Sequence, residues 1–171
     1  MKLMQKFLRL AVDDKLKSIM VYAVIDTNVI VASLLTKHHD SATARVMDAV
    51  FSGNVIPLLN DEIIAEYKDV LHRKRLGLNP EKCDFIISLI SDLGMTLDRI
   101  STNVTMIDEK DRVFYEIALA GLDMGNSKLV TGNTKHYPEV DFVVTPAQFC
   151  EIMGPHNFFI GKRRTKRLCA A

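Results

Sequence analysis

The chain has 171 residues, 48% hydrophobic and 25% charged, which is enough for one domain with a single sizeable core. Its net charge of +1 conceals an acidic body, because residues 20–160 carry 12 basic and 19 acidic side chains while residues 1–19 and 161–171 carry five basic ones each. Three scattered cysteines exclude a disulfide framework and a zinc site and are typical of a reducing compartment, so we expect a cytoplasmic protein. Asp26 interrupts the apolar stretch 19–35, which is therefore predicted to be a buried strand and its exit rather than a membrane span.

The first half of the chain alternates between strand-like and helix-like segments. Residues 21–25 (VYAVI) are a β-branched apolar run, which is typical of a strand buried on both faces of a parallel sheet. Apolar residues at helical spacing predict a helix over 41–52, and "VIPLL" at 55–59 predicts a second strand. Asn60 is suited to cap a helix over 61–74 that begins with acids and ends with basic residues.

The second half continues the alternation. Pro80 can open a helix that Gly94 ends, and a weak strand is predicted around 95–100. The remaining elements are predicted to be a helix from Asp108 through Met124, strands at 128–131 and 141–144, and a last helix capped by Thr145 with Pro146 at its first position. Strands that alternate with helices predict an α/β fold with a mostly parallel sheet.

Polar residues follow the predicted strands at the edge where a parallel sheet forms its ligand crevice. Asp26 comes directly after the first strand, and Asn133 follows the strand "KLVT". Glu66 lies about one turn into the helix after "VIPLL", while Asp108 and Asp111 lie where a later helix begins. No Lys or Arg is evident as a partner, and carboxylates this close repel one another unless a cation joins them. Oxygen ligands favour Mg²⁺ or Mn²⁺ over zinc.

Each of these acids also has a structural explanation. Glu66 and Glu62 fit ordinary solvated positions on a helix, Asp108 fits an N-cap, and Asp111 fits the positive end of the helix dipole. Asp26 is the hardest to explain in this way, because it follows a strand that should be buried, although Asp also occurs in turns.

At these residues the sequence resembles the PIN-domain family, and within it the toxin-like branch related to the VapC ribonucleases. The resemblance covers about residues 20–153 and rests on five pieces in order: "VIDTNVIVASLL", "NDEIIAEYKDVL", "DEKDRVFYEIALAG", "KLVTGN" and "VVTPAQFCEIM". It implies a three-layer α/β/α sandwich and a metal-dependent endonuclease for single-stranded RNA. It also implies frequent dimerisation and, in many members, a small antitoxin that blocks the site.

The resemblance assigns roles to individual residues. The family's three principal acids, which would also be the metal ligands, correspond to Asp26, Glu66 and Asp111. Asn28 corresponds to a polar residue beside the first metal, and Thr131 to a hydroxyl near the site. Asp108 is a further candidate acid of the crevice because of its position alone, since the resemblance assigns it no role. Asn133 stands where the family commonly has a fourth acid, in a Thr-Gly-Asp sequence. An amide oxygen can still bind a metal or its water, but it brings no charge and cannot act as a base.

We therefore predict an N-terminal helical extension (1–19), a PIN-like nuclease domain (20–160) and a basic C-terminal tail (161–171). The apolar stripe of the extension favours a helix packed on the body or on a partner, with a membrane-surface helix as the alternative. The tail is either a solubilising segment or a sequence-independent contact with RNA phosphates.

The predicted function is an Mg²⁺- or Mn²⁺-dependent ribonuclease that is the toxin of a toxin-antitoxin pair. Its predicted partners are single-stranded RNA, a cognate antitoxin and a second copy of the chain. The alternative is a catalytically weakened PIN scaffold that binds RNA or a partner, which Asn133 favours and the three retained acids oppose. A nucleotide-binding regulator is a third possibility, but no glycine-rich phosphate loop follows the first strand.

Overall fold

The computed structural model of the chain describes residues 21–154. The predicted helical extension (1–19) and basic tail (161–171) lie outside the described residues, and their division from the body stays a prediction. None of the helices within 21–154 combines the length and apolar character that crossing a membrane requires. Cys83 and Cys150 are free and buried.

Five strands and six α-helices form the described part of the chain. The strands are β1 (Val21–Ile25), β2 (Val55–Leu59), β3 (Met95–Thr96), β4 (Ser127–Val130) and β5 (Val143–Val144). The helices are α1 (Thr27–Leu35), α2 (Ala42–Phe51), α3 (Asp61–Leu71), α4 (Pro80–Leu93), α5 (Arg112–Gly121) and α6 (Pro146–Met153). Short 3₁₀ turns occur at Lys74–Leu76, Glu109–Asp111, Leu122–Met124 and Thr134–His136.

The sheet is entirely parallel, with the strand order β3-β2-β1-β4-β5. From β1 the chain builds β2 and β3 on one side, then crosses to build β4 and β5 on the other. The strand order therefore reverses between β1 and β4, which is where open α/β sheets form their ligand crevice. The helices complete a three-layer α/β/α arrangement, with α5 packed against β1, β2 and β4. The predicted fold class is confirmed.

The central strand β1 lies in the core along its whole length. All five of its residues are buried, with Ala23 and Val24 completely inaccessible, as the apolar run predicts for a strand covered on both faces. Close packing of α5 depends on Gly121, because a Cβ atom there would lie 2.3 Å from Cδ1 of Leu58. Sheet and helix therefore approach more closely than a side chain at this position would permit.

Several helix boundaries that local sequence predicts are confirmed. The Asn60 side chain accepts a hydrogen bond from the Ile63 amide at 2.9 Å and so caps α3. Thr145 and Gln148 form a reciprocal capping box at the start of α6, with Pro146 in the first turn. Pro80 opens α4 as predicted.

The stretch after β1 differs from the prediction. The strand predicted over 21–25 is confirmed, but the segment after it was predicted only as an exit from the sheet, whereas helix α1 begins at Thr27. Asp26 causes this change of direction, because its carboxylate accepts a hydrogen bond from the Asn28 amide and caps the new helix. Asp26 marks the end of the strand in the sequence, but Asp is typical of turns as well as of helix N-caps, so the helix was not predicted.

Other boundaries also differ from the prediction, including the strand predicted at 141–144, which contains only Val143–Val144, and the helix predicted through Met124, which ends at Gly121. The helix predicted over 61–74 ends at Leu71 and gives way to a 3₁₀ turn, which Gly77 closes in a left-handed conformation (φ 61°). The strand predicted around 95–100 contains only Met95–Thr96. The helix predicted from Asp108 begins at Arg112, because Asp108 caps a preceding 3₁₀ turn instead.

A buried ion-pair network holds the long loop before α5. Glu116 is 1% exposed and accepts hydrogen bonds from Arg99 Nε at 2.8 Å and from the Thr102 amide at 2.9 Å. Burial alone would raise the pKa of Glu116, but the hydrogen bonds from Thr102 and the charge of Arg99 outweigh it, so the pKa is lowered. Arg99 also pairs with Glu62 on α3 at 2.6 Å. The network thus joins the loop to two helices.

We expect Glu116→Ala to lower the free energy of unfolding by about 3 kcal/mol, because it leaves Arg99 without its buried partner. Urea denaturation measures this effect. Glu109→Ala is the control, since Glu109 is 70% exposed and pairs with Arg112 at the surface, where solvent screens the pair, and its loss of stability should be much smaller. The pKa of Glu116 is lower in the folded state than in the unfolded state. The stabilisation of the folded state by Glu116 is therefore complete above the unfolded-state pKa of about 4.3 and is lost as the pH falls through the folded-state pKa. Equal losses in the two variants would contradict this account.

Candidate active site

Two polar loops leave the sheet side by side at the point where the strand order reverses. The Asp26 amide donates to the Val130 carbonyl at 2.9 Å, so the residue after β1 is held against the end of β4. Thr131, the residue after β4, donates its amide to the Val144 carbonyl of β5 at 3.0 Å. Backbone pairing of the strands therefore brings together two residues that are 105 positions apart.

Asp26 is 6% exposed, and its carboxylate accepts several hydrogen bonds. Its Oδ2 atom accepts from Thr131 Oγ1 at 2.6 Å, from Asn28 Nδ2 at 2.6 Å and from the Tyr137 hydroxyl at 3.4 Å. Its Oδ1 atom accepts, within residues 21–154, only from the Asn28 amide at 3.2 Å. Oδ2 is therefore committed to the protein, whereas Oδ1 keeps capacity to accept from a ligand in the cleft.

Asn28 clamps the two loops together. Its Nδ2 atom contacts both Asp26 and Thr131, and its Oδ1 atom accepts a hydrogen bond from the Gly132 amide at 2.9 Å. Glycine suits position 132, because a Cβ atom there would lie 3.1 Å from Asn28 Oδ1. The Thr131 hydroxyl in turn accepts from the Asn133 amide at 3.0 Å, which fixes the start of the next turn.

Helix α3 is attached to the same edge of the sheet by Tyr67. The Tyr67 side chain is buried, and its hydroxyl donates to the carbonyl of Ile25, the last residue of β1. Glu66 precedes Tyr67 and is thereby placed beside Asp26 in the cleft. This anchor was not predicted from the sequence. No local signal could identify it, because its partner is a backbone carbonyl 42 residues away.

His136 joins two of the predicted site residues. Its Nδ1 atom lies 2.8 Å from Asp111 Oδ2, and its Nε2 atom lies 2.7 Å from Asn133 Nδ2. His136 was also missed from the sequence. The sequence signal that could have identified His136 is its position three residues after Asn133, because one turn of 3₁₀ helix places residues three apart on the same side.

One cleft of about 500 Å³ contains six of the seven predicted site residues, namely Asp26, Asn28, Glu66, Asp108, Asp111 and Asn133. Thr131, the seventh, is fully buried and lies behind Asp26 rather than in the lining. Two basic residues accompany the acids, since Arg75 lines the cleft and His136 contacts Asp111. The lining also contains an apolar wall, which consists of Val31, Ala32, Leu35, Val70 and Leu76.

Burial and mutual repulsion disfavour negative charge in this cleft. The pKa of Asp26 is raised, mainly because the group is buried and also because Asp111 is near, although hydrogen bonds from Thr131 and Asn28 act against the rise. Burial likewise raises the pKa of Glu66, and the charges of Asp69 and Asp26 contribute. A bound cation would relieve both effects.

The sequence matches the PIN domain over residues 22–135, two thirds of the chain. The chain belongs to the PIN-domain family. The match contains the whole candidate site except His136, which lies one residue beyond it. PIN domains are generally nucleases, and they usually use divalent metal ions. Comparison with curated proteins and with solved structures found no match.

The oxygen-rich lining of this PIN domain fits a hard divalent cation. No three acidic, histidine or cysteine side chains among residues 21–154 are grouped closely enough to ligate one ion directly. A hard cation that keeps part of its water shell needs only one or two carboxylates, and Asp26 Oδ1 and the free oxygen of Asp111 meet that need. Thr27 supports the fit, since its buried Oγ1 atom has no hydrogen-bond partner in 21–154 and its residue lines the cleft.

We expect Asn28→Ala to release the Gly132 loop from the Asp26 loop. Gly132 is exposed, so its amide is protected from exchange with solvent mainly by the hydrogen bond to the side-chain oxygen Oδ1 of Asn28. Amide hydrogen exchange measured by NMR should accelerate about tenfold at Gly132, the equivalent of one hydrogen bond. The amide of Leu97, which donates to the Leu59 carbonyl across the sheet, serves as the internal control and should be unchanged. Unchanged exchange at Gly132 would show that Asn28 does not hold the two loops together.

Proposed function

We propose that this PIN domain is an endoribonuclease that cleaves single-stranded RNA with Mg²⁺ or Mn²⁺. The observation that carries the proposal is the convergence of carboxylates from separate parts of the chain on one cleft, at the reversal point of the sheet. Asp26 comes from the end of β1, Glu66 from α3, and Asp111 from the turn before α5. Acids gathered at such a place without an equal number of cations are suited to binding a metal and a phosphodiester.

Some side chains of the cleft would hold the cation, and others would orient the ligands or the attacking water. Asp26 and Asp111 would be the main ligands, because within residues 21–154 Asp26 Oδ1 accepts a single hydrogen bond, from the Asn28 amide, and one Asp111 oxygen accepts none. Glu66, which has no direct partner within 21–154, would serve as a ligand or orient the attacking water. When bound, the cation would lower the pKa of a water molecule and stabilise the charge of the leaving oxygen. The donors around Asp26 Oδ2 keep that carboxylate oriented.

The remaining cleft residues suit a nucleotide chain. Arg75 brings a positive charge to the cleft, and a guanidinium is well shaped to pair with a phosphate next to the one that is cut. The apolar wall that includes Val31, Leu35 and Leu76 offers surface for a base, and Leu35 is 49% exposed. No base is selected by hydrogen bonds from this wall, since its side chains are aliphatic.

RNA cleavage tests the proposal. The purified chain with single-stranded RNA and Mn²⁺ should give products that EDTA abolishes, and Asp26→Asn or Asp111→Asn should lower kcat/KM at least about 100-fold, because each removes a charge that the metal requires. Asp92→Asn is the matched control, since Asp92 is an exposed acid on α4 outside the cleft, and it should cleave like the parent.

Two outcomes would reject this account. If Asp26→Asn cleaves as well as the parent, the proposed site is wrong. If the parent is inactive and Asn133→Asp cleaves, the natural protein is a weakened PIN scaffold that binds RNA or a partner. That second function has specific support, because position 133 carries an uncharged amide and the side chains of 21–154 form no ready group of three ligands.

We further propose that the chain is the toxin of a toxin-antitoxin pair, acting in the cytoplasm as a homodimer. The support is the resemblance to the VapC branch, together with an acidic cleft that a basic side chain of a small partner protein would fill. Induced expression should therefore arrest growth, and co-expression of a neighbouring short open reading frame should relieve the arrest. Asp26→Asn is the control and should not arrest growth. Arrest by this variant to the same degree would contradict a toxin that acts through the cleft.

A further inference from the structure

His136 is placed to position the other groups of the cleft. It ends the 3₁₀ turn Thr134–His136, and its two ring nitrogens lie 2.8 Å from Asp111 and 2.7 Å from Asn133. Asp111 precedes α5 and Asn133 follows β4, so the imidazole connects the two sides of the crevice. All three side chains line the cleft.

Hydrogen-bond chemistry defines how the ring is held. A carboxylate oxygen can only accept, so the Nδ1 atom that faces Asp111 carries the hydrogen. In the neutral ring the Nε2 atom is then an acceptor, and it faces the Nδ2 donor of Asn133. Both contacts are satisfied by a single tautomer, whose orientation the two partners fix.

This arrangement also orients the Asn133 amide. With Nδ2 engaged by His136, the Oδ1 atom remains, and it has no hydrogen-bond partner among residues 21–154. A carboxylate at position 133 would instead place an acceptor oxygen against the acceptor nitrogen of the neutral ring. Asparagine is therefore matched to His136, whereas aspartate would not be.

We propose that His136 is a positioning residue that holds the Asp111 carboxylate and turns the Asn133 amide so that its carbonyl oxygen serves the cation site. On this account Asn133 is a neutral oxygen donor supplied by a matched pair, not a damaged fourth acid. The inference rests on the proposed function only in taking the cleft to be a cation site.

An ordinary histidine–aspartate pair elsewhere in the chain shows what a merely structural contact looks like. His72 Nε2 lies 3.2 Å from Asp84, and its Nδ1 atom contacts the Lys68 carbonyl at 2.8 Å. The His72 side chain is 34% exposed and that of His136 is 35% exposed, so burial does not separate them. The difference is that both partners of His136 line the cleft and neither partner of His72 does.

Two substitutions at position 136 separate hydrogen bonding from packing. Gln offers one donor and one acceptor, as the neutral ring does, whereas Met has a similar length and neither strong donor nor acceptor. Mn²⁺ binding is measured by calorimetry on the full chain without RNA. We expect His136→Met to weaken binding about 10-fold to 100-fold, the usual effect of removing a group that orients metal ligands, and His136→Gln to retain most of the affinity. His72→Met is the matched control and should bind Mn²⁺ like the parent.

The orientation of the ring is measured independently by ¹⁵N NMR at mildly alkaline pH, with no cation present. The parent should show the hydrogen of His136 on Nδ1, and a ring with its hydrogen on Nε2 would overturn the proposal. Tight Mn²⁺ binding by His136→Met would also overturn it, because the imidazole would then have no positioning role. Binding by His136→Gln as weak as that by His136→Met would overturn it as well, because the imidazole would then itself be the ligand. A parent that does not bind Mn²⁺ also overturns it. A parent that binds Mn²⁺ without cleaving RNA rejects only the nuclease, and the role of His136 stands.

Discussion

The geometry of this PIN domain depends on the burial of one carboxylate, that of Asp26. An ionised group shielded from water is costly unless donors surround it, and here Thr131, Asn28 and Tyr137 supply them. The same carboxylate caps α1 and so turns the chain sharply at the end of β1. Satisfying this charge therefore fixes the helix that follows, the loop after β4 and the turn that carries Tyr137. The residue suited to bind a cation is also the one that organises its surroundings.

Two kinds of side chain line the cleft. The loops that leave β1 and β4 bring polar groups to it, whereas α1, α3 and the 3₁₀ turn Lys74–Leu76 bring aliphatic side chains. A lining with both charged and apolar side chains suits a ligand with phosphates and bases, which supports the proposed nuclease. Arg75 brings one positive charge to the lining and His136 contacts Asp111 through Nδ1, so the acids still outnumber the cations there.

Much of the fold is encoded in local patterns. The apolar runs of β1 and β2 and the caps at Asn60 and Thr145 are confirmed because their causes lie within a few residues of one another. Helix α1 was missed because Asp26 is as typical of a turn as of a helix N-cap, and only its contact with the Asn28 amide decides between them. The start of α5 was placed too early because Asp108 caps a 3₁₀ turn as readily as a helix.

The sequence by itself determined that Asp26 and Asn133 reach the crevice, because position after the end of a parallel strand is a local property and the sheet converts it into a common edge. Glu66 and Asp111 were identified from their positions in predicted helices and from the resemblance to the PIN-domain family. Only the tertiary structure decided how they are held, since Tyr67, Tyr137 and His136 make contacts across many residues of chain that no periodicity records. The interpretation of Asn133 changed most. In the sequence "TGN" it is a position that lacks the family's usual negative charge, whereas in the structure it is an amide whose orientation the contact with His136 defines. That orientation depends on two side chains meeting in space, and the order of residues does not specify it.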